Sequence, residues 1–174
     1  MDTSTLTRPG LTELLTGLRD VTARTANPHD TALLVAGLLR AQSPTVDMLT
    51  PAERRGDTGD FARHVLHAEA AFSVVAVVWQ HGQLTPIHDH IAWCAFAVLQ
   101  GVEYETLYRD HCGYLTEIGR VANGVGDVSG FAPPGDIHRV HNTGDTTAIS
   151  LHVYGADLGE SPSSVRRTYE LPVR

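Results

Sequence analysis

The sequence predicts a mainly β protein, a sandwich or barrel with N-terminal helices packed on it. Two observations carry this. From about residue 61 the chain turns into short runs rich in β-branched and aromatic residues, punctuated by glycines at 82, 101, 113, 119, 124, 126, 130, 135, 144 and 155. Before residue 61, leucines recur at helical spacing instead.

Taken in order, residues 9–42 read as helical. Leu11, Leu14, Leu15, Leu18 and Val21 form one apolar stripe. Asn27-Pro28 reads as an N-cap followed by proline at the first helical position, and Leu33, Leu34, Leu38 and Leu39 supply the buried face of a second helix. Residues 43–60, rich in Pro, Thr, Asp and Gly, are expected to be mostly irregular with room for one short helix. The clearest strands cover 72–80, 92–99, 104–108 and 148–154. No internal repeat or low-complexity segment interrupts the chain. One domain over 1–174 follows, with 1–60 as the helical layer and 61–174 as the β-barrel.

At 174 residues and 42% hydrophobic content, the chain is long enough for one real core. Its net charge of −7 and its lack of any Lys/Arg run argue against a nucleic-acid partner and against an anionic membrane surface. No apolar run approaches the length of a membrane span, and the first ten residues lack the basic-then-apolar order of a signal peptide. Two cysteines, Cys94 and Cys112, do not make a disulfide framework, so a cytoplasmic, reducing compartment is expected. No heptad or exposed apolar stripe announces an oligomeric state, which is not readable here.

The stretch that carries chemistry runs from Gly82 to Gly101, G-Q-L-T-P-I-H-D-H-I-A-W-C-A-F-A-V-L-Q-G. His88 and His90, two apart in an extended apolar segment, point to the same face. His138, in P-P-G-D-I-H-R-V-H-N, offers a third imidazole. Three neutral nitrogen donors with open positions describe a catalytic metal better than a sealed structural one, and leave a divalent ion its full charge. On ligand type alone, iron, zinc, nickel and manganese all remain open. The other histidines at 29, 64, 67, 81 and 111 read as surface residues or supports. Taken singly, each metal-site histidine reads as blandly; their joint occurrence among flanking glycines and prolines is what points to metal.

Parity groups further side chains. If residues 88–94 form one regular strand, Cys94 points inward with His88 and His90, while Asp89 and Trp93 point outward. Along 148–154, Ser150, His152 and Tyr154 share one face, and Ile149, Leu151 and Val153 take the other. The apolar face must pack on something, so the polar face is expected to line an enclosed pocket.

This spacing resembles the cupin superfamily. Gly82, His88, His90, Cys94 and Gly101 fall on its first motif, with Cys94 where most cupins carry a glutamate ligand. Pro133, Gly135, His138 and Asn142 fall on the second, whose leading glycine is off by one at Gly126. The resemblance implies a double-stranded β-helix, the jelly-roll barrel. Within cupins the chain is similar to the thiol dioxygenases, and to the cysteine dioxygenase type I family in particular, from about Phe61 to Leu158. The similarity rests on P-I-H-D-H, V-L-Q-G, I-H-R-V-H-N and S-L-H-V-Y.

The resemblance implies oxygenation of a small thiol to a sulfinic acid with both atoms of O2, L-cysteine giving cysteine sulfinate. It implies Fe(II) held by His88, His90 and His138. It implies catalytic roles for Tyr154, His152, Ser150 and Cys94, with the family's cysteine–tyrosine thioether falling on Cys94 and Tyr154. Arg63 would hold the substrate carboxylate as a bidentate partner, beside a Phe61 that stands where animal enzymes have tyrosine. Without the resemblance Arg63 reads as a solvent-facing arginine, and Arg166 or Arg167 near the C-terminus could supply the clamp instead. The alternatives are 3-mercaptopropionate as substrate, a cupin isomerase or hydrolase using zinc or manganese, and a non-catalytic binding module.

Overall fold

The computed structural model describes residues 7–159 and 163–174; the first six residues, which carry part of the leader reading, lie outside that range. Helices α1 (Leu11–Thr22) and α2 (Pro28–Gln42) come first, followed by two single 3-10 turns, Val46–Met48 and Glu53–Arg55. Ten strands follow: β1 (Ala62–Glu69), β2 (Phe72–Trp79), β3 (His88–His90), β4 (Cys94–Gln100), β5 (Val102–Asp110), β6 (Leu115–Gly124), β7 (Val128–Phe131), β8 (His138–His141), β9 (Ala148–Tyr154) and β10 (Val165–Thr168). They form two five-stranded antiparallel sheets, ordered β1-β2-β9-β4-β7 and β10-β3-β8-β5-β6. The architecture is a two-sheet antiparallel β-barrel with helices packed on it, the double-stranded β-helix that the resemblance implies. No helix among the described residues is long and apolar enough to cross a membrane.

The sheet containing β2 and β9 is buried on both faces. On its outer face Val74, Ala76, Val78, Ala95, Ala97, Ile149, Leu151 and Val153 pack against Leu14, Leu18, Val35 and Leu39 of the helices. On its inner face Val75, Val77, Trp79, Cys94 and Tyr154 join a second cluster inside the barrel. That is why β2 reads F-S-V-V-A-V-V-W with little polar alternation. The outer cluster anchors the strand whose inner face carries Ser150, His152 and Tyr154.

The helix start at Asn27 is built as its chemistry suggests. The Asn27 side chain accepts from the backbone N–H groups of His29 and Asp30, with Pro28 at the first helical position. The buried face of α2 differs from the leucine stripe expected of it. Thr31, Ala32, Val35, Ala36 and Leu39 face the sheet, whereas Leu33 and Leu34 are 51% and 41% exposed. The cause is close packing: a Cβ on Gly130 of β7 would stand 2.4 Å from the Ala32 carbonyl oxygen. Only small side chains fit that approach, so the larger leucines turn outward.

The expected regular strand through 88–94 is also broken. β3 ends at His90, residues 91–93 are irregular, and Cys94 opens β4 in the other sheet. The reason lies at Trp93, which turns into the outer cluster and packs so closely on Gly155 that a Cβ there would lie 2.1 Å from the indole nitrogen. Cys94 still enters the barrel interior, but it is directed there by pairing with β9 and not by continuity with His90.

Candidate active site

β3 and β8 pair antiparallel with His88 opposite His138, which sets two imidazoles side by side; His90 joins them two residues along. The three rings lie 4.6–5.0 Å apart between centroids. One nitrogen from each lies within 4.8 Å of the others, and all three residues are buried. Each Nδ1 is committed outward. His88 Nδ1 donates to the Pro86 carbonyl at 3.0 Å, His90 Nδ1 to Asp136 at 3.0 Å and His138 Nδ1 to Glu105 at 2.5 Å. With those protons assigned, the Nε2 atoms are bare lone-pair donors.

His88 and His138 bring these Nε2 atoms to 3.3 Å. Two lone pairs at that distance repel, and a divalent cation between them removes the conflict. Burial, and then the neighbouring His138 and His90, push the His88 pKa down to about 3, and burial lowers that of His90 despite Asp136. Neutral imidazoles are what a metal needs. The residues therefore fit a metal on two grounds, converging bare nitrogens and outer partners that orient them.

Across the cavity, β9 presents a hydrogen-bonded series. Tyr154 Oη lies 3.2 Å from His152 Nδ1, and Ser150 Oγ lies 2.9 Å from His152 Nε2. Ser150 Oγ in turn donates to the carboxylate of Glu103 on β5. Cys94 is the register partner of Tyr154, and its Sγ stands 3.8 Å from His152 Nδ1. Burial pushes the Cys94 thiol and the Tyr154 phenol above their ordinary pKa values, and drives His152 down to about 3. All three are neutral at physiological pH.

The cavity walls are largely apolar, with Phe61 stacked on Trp79 at 4.4 Å and Val77, Phe131 and Val140 beside them. Arg63 reaches the same cavity with its guanidinium 5.2 Å from the Phe61 ring, and is the one Lys/Arg side chain lining it among the described residues. Arg166 and Arg167 are elsewhere, against the suggestion that either clamps the substrate. They lie on β10 behind β3, where Arg166 pairs with the buried Asp89 and Arg167 stacks on Tyr169 at 4.1 Å and approaches Asp110 at 3.6 Å. Asp89, which also accepts from Tyr169 at 2.8 Å, thus ties the C-terminal strand to the back of the imidazole pair.

The sequence reading missed three of the buried carboxylates, Glu103, Glu105 and Asp136. Their signal was present but faint. Glu103 and Glu105 are two apart on a strand, hence on one face, and Asp136 sits two residues before His138.

A sequence model of the family described as cysteine dioxygenase type I matches residues 13–162. Solved structures similar to this chain include a conserved protein with a double-stranded β-helix domain from Klebsiella pneumoniae. It is 22% identical, with 63% of this chain and 84% of that one covered and a TM-score of 0.49. The TT1209 protein of Thermus thermophilus is 20% identical over 62% of this chain and 96% of its own, with a TM-score of 0.47. A cupin superfamily protein from Desulfitobacterium hafniense is 14% identical over 63% and 85%, with a TM-score of 0.47.

Proposed function

From the premise that the chain belongs to the cysteine dioxygenase type I family, we propose that it oxidises L-cysteine to cysteine sulfinate with O2, at a ferrous ion held by His88, His90 and His138. The observation that carries this reading is the convergence of three bare, buried imidazole nitrogens beside the Ser150–His152–Tyr154 series. Ferrous iron, when bound, would supply a centre at which a thiol and dioxygen meet and exchange electrons.

The protein's own groups set the pose. The apolar walls suit a small thiol body and exclude bulk water, which strengthens every polar contact inside. Arg63 would take the substrate carboxylate, giving the charge balance the walls lack. Tyr154 presents its hydroxyl to the cavity, with His152 orienting it and Ser150 behind. The test is oxygen uptake by iron-loaded protein with a panel of small thiols that includes 3-mercaptopropionate. L-cysteine is expected to give the highest kcat/KM; inertness toward every thiol would end the enzyme reading.

Two further outcomes are expected. Arg63→Ala should raise KM for cysteine at least about tenfold, the loss of one charge-assisted pair of roughly 1.5–3 kcal/mol, with little change in melting temperature because Arg63 is exposed. An unchanged KM would remove Arg63 from the substrate site. The antiparallel pairing of Cys94 with Tyr154 supports a thioether between them. Its S–C bond would replace the thiol hydrogen and one ring hydrogen, with dioxygen as the oxidant. Intact mass should then show a fraction of protein lighter by two hydrogens, absent in Cys94→Ser; a full-mass wild type after turnover would refute the link.

A further inference from the structure

Glu103 is 1% exposed, lies on the inner face of β5, and is a carboxylate in a barrel wall with no metal ligand among its hydrogen-bond partners. Its Oε2 accepts from Ser150 Oγ at 2.5 Å and lies 4.0 Å from His152 Nε2. We propose that Glu103 is a positioning residue that sets the direction of the hydrogen bonds running through Ser150 and His152 to Tyr154. It thereby decides whether the tyrosine hydroxyl accepts from the cavity or donates into it.

The direction follows from a count of protons. A neutral imidazole carries one N–H, and a serine hydroxyl donates once. When Glu103 is ionised it can only accept, so Ser150 donates to it and must accept from His152 Nε2–H. His152 Nδ1 is then bare, the Tyr154 hydroxyl donates to it, and the phenolic oxygen turns its lone pairs to the cavity. The Cys94 thiol, at 3.8 Å, is the weaker competitor for that nitrogen. When Glu103 is protonated it donates to Ser150, Ser150 donates to Nε2, and the imidazole proton moves to Nδ1. Tyr154 then accepts from His152 and its own proton points into the cavity. One proton on a carboxyl outside the cavity lining reverses what the cavity meets.

The surroundings place this reversal near neutrality. Burial raises the Glu103 pKa to about 7 against the Ser150 hydrogen bond, with Glu105 on its own strand raising it and His138 of β8 lowering it. The other facing groups are neutral: Ser150 and His152 of β9, and the Trp79 indole of β2, which lowers the Glu103 pKa. Cys94 and Tyr154 lie beyond His152. The catalytic meaning of the reversal rests on the dioxygenase reading; its existence does not.

Nitrogen-15 spectra of the histidine rings, recorded on metal-free and zinc(II)-loaded protein across the neutral pH range, read the His152 tautomer directly. Wild type is expected to carry the His152 proton on Nδ1 at the acid end and on Nε2 at the alkaline end. Glu103→Gln should hold one tautomer throughout, and so should Ser150→Ala, a small change that cuts the series while keeping the carboxyl in the wall. A wild-type tautomer that never changes, or a Glu103→Gln or Ser150→Ala tautomer that changes over the wild-type range, would overturn the proposal. With turnover, kcat/KM for cysteine should show a pH limb near neutrality that Glu103→Gln removes, and a limb that persists would also count against it. Protein inert to cysteine would sink the dioxygenase reading and leave the tautomer result standing.

Discussion

His88→Ala is expected to abolish metal retention and thiol oxidation together, while leaving a folded protein. Carboxylate partners one bond beyond a metal-binding histidine are commonly worth 10–100-fold in metal affinity. A direct nitrogen donor should therefore be worth more than about a hundredfold, enough to leave the purified variant without stoichiometric iron. His88 is the cleanest of the three to remove. Its outer partner is a backbone carbonyl at Pro86, which water can satisfy at an exposed residue. Removing His90 or His138 would instead strand the buried Asp136 or Glu105 without its partner. The outer core, in which the helices pack on β2, β4 and β9, does not include His88. Iron per chain and oxygen uptake are the measurements, with a thermal melt of metal-free protein as the control. A variant that keeps its iron and its turnover would remove His88 from the site.

Acid should destabilise the metal-free protein in two stages. His88 and His152 hold folded pKa values of about 3, against 6.5 when unfolded. Between those values the unfolded chain binds more protons, so stability falls as pH falls. Glu103 works in the opposite sense: with a folded value near 7 and an unfolded value of 4.5, it contributes stability as pH falls through that interval. At pH 4.5 the two rings together have lost roughly 5 kcal/mol and Glu103 has returned roughly 3, a shallow net loss of about 2. Below pH 4.5 Glu103 has no more to give. The rings lose about 4 kcal/mol further by pH 3, where carboxylates held low by arginine, such as Glu53 beside Arg8, add to the loss. Melting temperature against pH should thus be gently sloped above 4.5 and steep below it. A flat profile through 4.5, or one that rises on acidification below pH 6.5, would contradict the burial of these rings as neutral groups.

What was legible in the sequence was what local chemistry decides. Asn27-Pro28 marks a helix start because the cap is made within three residues. Ser150, His152 and Tyr154 group correctly because β9 is regular and its other face is apolar throughout. His88 and His90 group correctly because both lie on β3. Cys94 enters the barrel interior, as expected, but for a different reason: β4 pairs with β9, and the supposed strand from His88 to Cys94 is interrupted where Trp93 turns outward. The face of α2 was read correctly at Leu38 and Leu39 but misread at Leu33 and Leu34, because its closeness to Gly130 is a tertiary fact that leucine periodicity cannot carry. Strands of three or four residues, β3, β7, β8 and β10, are too short to show a period. The buried carboxylates were invisible for a related reason. A glutamate on a strand reads as solvent-facing until its partner is known, and the partners of Glu103 and Glu105 lie more than thirty residues away.

The proposed function, dioxygenation of a small thiol at a ferrous ion held by three converging imidazoles, stands or falls on the product formed when iron-loaded protein is given L-cysteine under isotopically heavy dioxygen and the product is weighed. Cysteine sulfinate carrying two heavy oxygens is the result predicted. Sulfinate with one or no heavy oxygen, or cystine with hydrogen peroxide in its place, would contradict it.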